Sequence, residues 1–274
     1  VTLITFVAHE LETLHPVVDF HVFKNRSYAA ATGLNFAIGM TLFSAMFMFS
    51  LYCGSVMHYS ALDIGLLFLK GSAIQLVLMP IIGRLMSRVD PRPMVLLGGL
   101  IVTASLVANA RLTNLADEHA MLMTVFIRAC GLGFVFAPLN VTALSDIPAR
   151  QRGNAAGLFN LTRELGGSIG TALMSTRLDN NVKQHFTALA RNVSYYDNET
   201  WEALGQMRRF LLGRVPDPAA ASFGLLSMRM SQQALVRAFS QNFSMLALMF
   251  FSMLALVFFL KRPAGTRKVA TAAH

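Results

Sequence analysis

Long apolar segments separated by short polar ones dominate this chain. Three of them contain no Asp, Glu, Lys or Arg: Ala29 to Cys53, Pro93 to Ala110 and Asn242 to Leu260. A helix of about twenty apolar residues crosses the hydrocarbon core of a bilayer, which is about 30 Å thick. We expect helices because a helix satisfies its own backbone hydrogen bonds in lipid, and because the sequence does not show the two-residue alternation of a membrane barrel. The pattern predicts an all-α integral membrane protein.

Six full membrane spans are predicted. Five of them fall within residues 29–176 and the last occupies residues 242–260. One span carries Arg163 and Glu164 near its middle. The predicted spans are Ala29–Cys53, Ile64–Gly83, Pro93–Ala110, Ala120–Leu144, Ala155–Thr176 and Asn242–Leu260.

The first residues are interpreted as part of a further span. Residues 1–9 are apolar but too short to cross a membrane, and they lack the basic region and cleavage site of a signal peptide. We expect them to be the end of a truncated transmembrane helix whose beginning is missing. Residues 10–28 are then a cytoplasmic connector.

The distribution of the basic residues, which give the chain a formal net charge of +9, predicts its membrane topology. Lys and Arg are spread over the connections between spans, and no basic domain for nucleic acid is formed, so no nucleic-acid partner is expected. Short loops that are rich in Lys and Arg stay on the cytoplasmic side of the membrane. In this chain the basic residues concentrate in alternate connections, such as those around Arg88 and Arg150, and these connections are predicted to be cytoplasmic. The opposite short connections hold only Arg111. Six crossings place the tail, residues 261–274, in the cytoplasm.

The segment of residues 177–241 is predicted to be an extracytoplasmic loop of amphipathic helices. Apolar positions recur at helical spacing from Leu178 to Val193 and again from Trp201 to Leu211, which indicates two such helices. A breaker with Pro216 and Pro218 follows, and a stripe from Phe223 onward is expected to run straight into the last span. We interpret the loop as a cap at the membrane interface; a binding domain is the alternative.

Four ionisable residues fall inside predicted spans: Lys70, Arg128, Arg163 and Glu164. Each costs about 2.5 to 3.5 kcal/mol near the bilayer centre, so such residues face protein or water. With Asn160, which precedes Arg163 and Glu164 by three and four positions, we expect them to line a cavity for substrate or protons. For Arg163 and Glu164 an equal alternative is pairing with neighbouring helices to hold the bundle together.

The predicted fifth span continues in small residues. Gly166 and Gly170 form a Gly-x-x-x-Gly pair and Gly167 lies between them. Glycines at this spacing let two membrane helices approach closely. They are predicted to pack against another helix.

Enzymatic chemistry is not expected. The sequence holds no phosphate-binding loop, His-Glu-x-x-His pattern or nucleophile elbow. Cys53 and Cys130 have no redox or metal-ligand spacing, and His9, His15 and His21 fall on different faces of a helix. No cofactor and no metal are predicted.

Four stretches carry a resemblance to a known family. They are the segment from His15 to Arg26, the segment from Tyr59 to Leu66, the loop Gly83 to Arg92, and, most specifically, Gly153-Asn-Ala-Ala-Gly-Leu-Phe-Asn-Leu-Thr-Arg-Glu-Leu-Gly-Gly-Ser-Ile-Gly-Thr-Ala. The chain resembles, over essentially its whole length, the C-terminal half of a major facilitator superfamily drug:proton antiporter of the EmrB/QacA-like, 14-helix branch.

The loop after the second span resembles the family's cytoplasmic signature. Gly83 and Arg88 match it, whereas Ser87 stands in place of the usual Asp and Asp90-Pro91 stands where Gly is usual. The resemblance assigns gating to this loop through Gly83, Arg84 and Arg88. The departures argue against a charge relay there.

The resemblance implies a six-helix C-terminal bundle with a partial preceding helix, in the inner membrane of the cell. It implies half of a proton-coupled multidrug efflux transporter that exports hydrophobic or cationic small molecules and is inactive alone. The partners would be the lipid bilayer, the missing N-terminal half and, in a double-membraned host, a periplasmic adaptor and an outer-membrane channel. The alternative is a non-transporting membrane scaffold or regulatory half-protein from a truncated gene.

Overall fold

The computed structural model describes residues 25–145, 147–192, 198–213, 215 and 217–260. This part of the chain is built of α-helices and two short 3-10 helices, with no strand. The all-α prediction is therefore confirmed for the described residues. The helices are α1 (Arg26–Ser55), α2 (Ala61–Ser72), α3 (Ile74–Met86), α4 (Pro91–Ala110), α5 (Glu118–Ser145), α6 (Arg152–Asn192), α7 (Asn198–Leu211) and α8 (Pro218–Met253), and the 3-10 helices are Ala149–Gln151 and Leu254–Phe259.

Polar side chains cap several helix starts. The Asn25 carboxamide accepts from the Ser27 amide at the start of α1. At α2, Ser60 and Asp63 bond reciprocally to each other's backbone amides, a capping box that satisfies two donors left without partners by the first turn. Asp217 caps α8 through the amides of Ala219 and Ala220. The boundaries thus follow local sequence signals.

Within the described ranges, five helical stretches are long and apolar enough to cross a membrane by length and composition. They correspond to five of the six predicted spans. The sixth, Ala155–Thr176, lies in α6, whose composition is more polar. The five are Arg26–Ser55, Ala61–Met86, Pro91–Ala110, Glu118–Ser145 and Pro218–Phe259.

Helix α6 lies alongside α1 in the same direction. The Tyr28 hydroxyl donates to the Ala155 carbonyl at 2.7 Å, and the Asn35 amide donates to the Phe159 carbonyl at 2.5 Å. Further along, Gly39 abuts the Arg163 backbone. Because these contacts advance together along both helices, α1 and α6 are parallel, and α6 occupies the same layer as a helix that can span.

Helices α4 and α5 form an antiparallel pair. Gly98 and Gly131 face each other so closely that a Cβ added to Gly98 would lie 2.6 Å from the Gly131 carbonyl oxygen. Seven residues later in α4, Ser105 donates to the carbonyl of Thr124 at 2.7 Å. Opposite directions are what two successive spans joined by a short connection require.

The core of the bundle surrounds α1. Large side chains of this helix, such as Tyr28, Phe49 and Tyr52, are almost completely buried, and α1 packs against α6, α8 and α5. By contrast, only 11% of the most apolar window in Ala61–Met86 is buried inside the bundle. The α2–α3 stretch is therefore a peripheral element.

One expectation about helix ends is wrong. The helix that contains the fifth predicted span does not end at Thr176, because α6 continues to Asn192, so the apolar stripe that begins at Leu178 belongs to α6 and not to a separate helix. No Gly or Pro lies between Thr176 and Asn192 to stop it. The second predicted span, Ile64–Gly83, lies within the candidate span Ala61–Met86, which has a helix break at Ala73, where α2 ends and α3 begins.

Other predictions about the long loop agree with the structure. Helix α7 matches the predicted amphipathic helix from Trp201 to Leu211, and Gly213, with a positive φ of 77°, follows its end. Helix α8 runs from Pro218 without a break into the last predicted span, as the stripe from Phe223 indicated. The predictions for residues 1–9, for most of the connector 10–28 and for the tail 261–274 lie outside the described residues.

Candidate functional site

Arg128 is a charged side chain in the interior of the bundle. It lies in α5 and is 4% exposed. Its guanidinium carbon stands 5.8 Å from the ring centroid of Phe49 in α1 and 5.8 Å from that of Phe68 in α2. Each desolvated cation–π contact contributes about 2 kcal/mol, which offsets part of the several kcal/mol that burying the charge costs.

The Arg128 guanidinium lacks a counter-ion in the described part of the chain. Its Nη1 nitrogen has no hydrogen-bond partner, and no carboxylate of the described residues forms an ion pair with it. A buried donor left without an acceptor costs about 1 to 3 kcal/mol. The guanidinium therefore keeps an unused donor in the interior of the bundle.

Lys70 lies in a different environment from the one that the sequence analysis expected. Its Nζ is 3.1 Å from Oε1 of Glu118, and the two side chains are 58% and 53% exposed. Glu118 is in the first turn of α5, so the ammonium reaches towards the end of that helix, as long basic side chains near membrane boundaries do. The structure does not bring Lys70 into the buried environment of Arg128.

The polar residues of α6 divide between two surfaces. Asn160 and Glu164 are exposed, while Arg163 is partly buried and stacks at 5.6 Å on the ring of Phe136 in α5. Among the described residues the Glu164 carboxylate has no ion pair and no hydrogen bond. The surface with Asn160 and Glu164 therefore carries an exposed carboxylate without a partner among the described residues, whereas the Arg163 side chain packs against α5.

The glycines of α6 lie against α1. A Cβ on Gly166 would be 2.3 Å from the Phe36 carbonyl oxygen, and one on Gly170 would be 2.4 Å from Met40. Gly167 faces the ring of Phe43 at a similar distance. These positions set how closely α6 and α1 approach, and so they fix where the neighbouring charges stand.

The predicted gating residues are at the exposed end of α3. Gly83, Arg84 and Arg88 are all exposed, and a Cβ on Gly83 would meet no atom within 4 Å. The Ser87 hydroxyl, where the family pattern has an acid, donates to the Arg84 carbonyl at 2.7 Å. Among the described residues neither arginine forms an ion pair, so two exposed positive charges lie at this end of α3.

A buried amide pair was missed by the sequence analysis. Asn242 in α8 is fully buried, accepts from Asn181 of α6 at 3.2 Å, and donates to the carbonyl of Met174 at 3.3 Å. An Asn at the start of an apolar span is itself a signal, because an amide in lipid needs a partner. Asn181 gives no such signal, because most of its neighbours in sequence are polar and it lies outside the predicted spans.

Comparison with known proteins identifies the family. The profile of the Major Facilitator Superfamily matches residues 8–171. The multidrug export protein EmrB of Escherichia coli K12 is 27% identical over 275 residues, which cover 100% of this chain and 53% of that protein. An uncharacterized MFS-type transporter, YhcA of Bacillus subtilis, is 28% identical over 72% of this chain and 37% of its own length. A multidrug resistance protein B homolog of Mycobacterium tuberculosis H37Rv is 32% identical over 63% of this chain and 33% of its own length.

The chain spans about half the length, or less, of these relatives. Two of these relatives are an export protein and a transporter by name, and the helices that can span agree with a multi-pass protein of the lipid bilayer. The motif resemblance stated from the sequence is thereby confirmed at the level of an EmrB-like drug-transporter family. The chain belongs to the Major Facilitator Superfamily.

Proposed function

We propose that this chain works as the C-terminal half of a proton-coupled exporter of hydrophobic or cationic small molecules. The observation that carries the proposal is the unpaired, exposed carboxylate of Glu164 on a helix that packs in parallel beside the spanning helix α1. In transporters made of two repeated halves, substrate and ion sites lie between the halves near the middle of the membrane. The surface that carries Asn160 and Glu164 is the one we propose to face the other half.

A carboxylate at that position couples proton uptake to a conformational change. When the cavity is open to water, the ionised form is well solvated. When the cavity closes, the charged form costs about 2.5 to 3.5 kcal/mol, so closure favours the protonated form. The proton thus shifts the equilibrium between the two states through its differential stability in each, and export can be driven by proton entry.

Arg128 has a complementary role in this proposal. Its charge is fixed by stacking between Phe49 and Phe68, and its Nη1 is free to donate. We propose that the missing acceptor arrives in one state of the transport cycle, from the substrate or from the other half of the transporter. Arg128 then stabilises that state only.

The test is Glu164→Gln in the complete transporter, with Glu202→Gln on α7 as the matched control, because Glu202 is an exposed acid outside the proposed spans. In inverted vesicles, proton-driven dye transport should be lost in Glu164→Gln, whereas exchange of labelled for unlabelled dye without a proton gradient should continue. The control should keep both. Normal proton-driven transport by Glu164→Gln would refute the proton role, and loss of exchange together with transport would assign the residue to substrate binding or packing.

We propose that the chain lies in the inner membrane, with the start of α1 and the C-terminus both on the cytoplasmic side. It rests on the alternation of basic residues and agrees with the antiparallel pair α4 and α5. Single cysteines at Arg88 and Asn114, in a background with Cys53 and Cys130 replaced by Ser, should react from opposite sides of the membrane. Reaction from the same side would refute the topology. An adaptor and an outer-membrane channel remain part of the proposal for a double-membraned host only.

A further inference from the structure

Arg111 is the basic residue that the charge pattern of the short connections leaves unexplained. It follows the last residue of α4, caps that helix by donating its backbone amide to the Ala108 carbonyl at 3.1 Å, and exposes its side chain. On the proposed topology it lies at the outer boundary of the membrane, where Lys and Arg are scarce in short loops. A guanidinium there needs a reason beyond orientation.

Two other cationic or potentially cationic groups meet Arg111 in a pocket of about 470 Å³. His185 comes from α6 and Arg237 from α8. The other described residues of the lining are neutral, with the hydroxyls of Thr113 and Ser240 among their hydrogen-bonding groups, and they include no Asp or Glu. Among the described residues none of the three basic groups forms an ion pair. The pocket therefore has the charge to bind an anion and lacks an internal one.

An apolar groove of about 720 Å³ begins where this pocket ends. Arg111 and Leu112 line both. From there the groove follows α4 and α5 down to Leu100, with Val107 on its wall and Phe251 of α8, which is 52% exposed, on its side. From Arg111 to Leu100 the helical rise is about 16 Å, which is roughly the depth of one leaflet of a 30 Å hydrocarbon core.

We propose that this continuous site binds an anionic phospholipid of the outer leaflet. The phosphate-bearing headgroup occupies the pocket of Arg111, His185 and Arg237, and one acyl chain lies in the groove between α4 and α5. Basic pockets between membrane helices recognise anionic headgroups on the cytoplasmic side, and the same chemistry serves a pocket at the outer side, because guanidinium groups bind phosphate oxygens in a bidentate manner. A free phosphate would use the pocket but leave the groove without a role. The choice of the outer leaflet rests on the proposed topology, whereas the site itself does not depend on whether the chain transports anything.

The test is native mass spectrometry of the purified full chain in detergent, titrated with phosphatidylglycerol and with phosphatidylcholine. We expect the chain to retain phosphatidylglycerol in preference. Arg111→Gln/Arg237→Gln should weaken that binding about tenfold or more. Arg208→Gln/Arg229→Gln removes the same charge from exposed positions outside the pocket and should leave it unchanged. Arg111→Lys/Arg237→Lys retains the charge and should keep most of the binding, and circular dichroism verifies the helical content of each variant.

A second variant tests the groove. Ala104 lines it and is exposed, so Ala104→Trp should block the acyl chain and weaken phosphatidylglycerol binding, while Ala255→Trp, at an exposed position outside the groove, should not. If Arg111→Gln/Arg237→Gln and the control Arg208→Gln/Arg229→Gln lost phosphatidylglycerol binding equally, the proposed headgroup site would be overturned. Full binding by Ala104→Trp would overturn the acyl position. Competition by glycerol phosphate as effective as that by the lipid would overturn the lipid and leave a free-anion site.

Discussion

The side-chain nitrogen of Asn181 lies 3.2 Å from the side-chain oxygen of Asn242. The two residues are sixty-one positions apart, on α6 and α8, and both are buried. Their hydrogen bond ties the extension of α6 to the last spanning helix. Because α6 also packs along α1, this pair helps to hold the helix that carries Glu164 in place.

Replacing Asn242 by Ala should destabilise the bundle. The change removes the oxygen that accepts a hydrogen bond from Asn181 and the amide that donates one to the Met174 carbonyl. Polar contacts between membrane helices contribute about 0.6 to 2 kcal/mol. We expect a loss of about 1 to 2 kcal/mol, measured by thermal unfolding of the purified chain. Ser244→Ala is the control, because that exposed hydroxyl bonds only to its own helix. Equal melting of the two variants would contradict the role of the amide pair.

Replacing Gly39 by Ala should separate α1 from α6. A Cβ there would lie 2.1 Å from the Arg163 carbonyl oxygen, and a backbone atom cannot move aside alone. Overpacking of this kind costs about 1 to 3 kcal/mol or more. Gly54→Ala, in the same helix with no atom within 4 Å of the new Cβ, should be neutral or stabilising. The yield of folded chain on size-exclusion chromatography and its melting temperature measure the difference, and equal stability of both variants would refute the close approach.

The sequence predicted the features that depend on one segment at a time. The apolar lengths of α1, α4, α5 and α8 and the continuous helix from Pro218 into the last span follow from local composition and periodicity. The same reasoning failed at Thr176, because a change from apolar to polar sequence ends a membrane span but does not end a helix. Helix ends need a breaker or a cap, and residues 177–192 contain neither Gly nor Pro.

The candidate site depends on partners that no local pattern gives. Lys70 and Arg128 look alike in sequence, as single charges two or three turns into apolar spans, yet the first is exposed beside Glu118 and the second is buried between Phe49 and Phe68. The same holds for Arg163 and Glu164. They are adjacent in sequence, but only Arg163 packs against Phe136 of α5 and is partly buried, while Glu164 is exposed.

Arg128→Met should separate stability from function. Buried ion pairs are often replaced by apolar residues at no loss of stability, because the desolvation penalty disappears. The same penalty is removed when a buried charge without a counter-ion is replaced, even though about 2 kcal/mol of cation–π attraction per ring is lost. We expect an unchanged or higher melting temperature and loss of transport in the complete transporter. Arg128→Lys should keep partial transport. A large drop in melting temperature with normal transport per folded molecule would show instead that the arginine is structural.

The exposed Lys70–Glu118 pair should be dispensable for transport. A double-mutant cycle with Lys70→Met and Glu118→Met isolates the coupling between them, which we expect to be about 0 to 1 kcal/mol because both side chains are largely exposed. Exchanging the charges, Lys70→Glu with Glu118→Lys, should restore the attraction between α2 and α5 but not all of the lost stability, since Lys70 lies in the last turn of α2 and Glu118 in the first turn of α5, where each charge also interacts favourably with its own helix dipole. If Lys70→Met abolished transport while Glu118→Met did not, Lys70 would have a role of its own in the substrate cavity, as the sequence predicted, and the ion pair would be incidental.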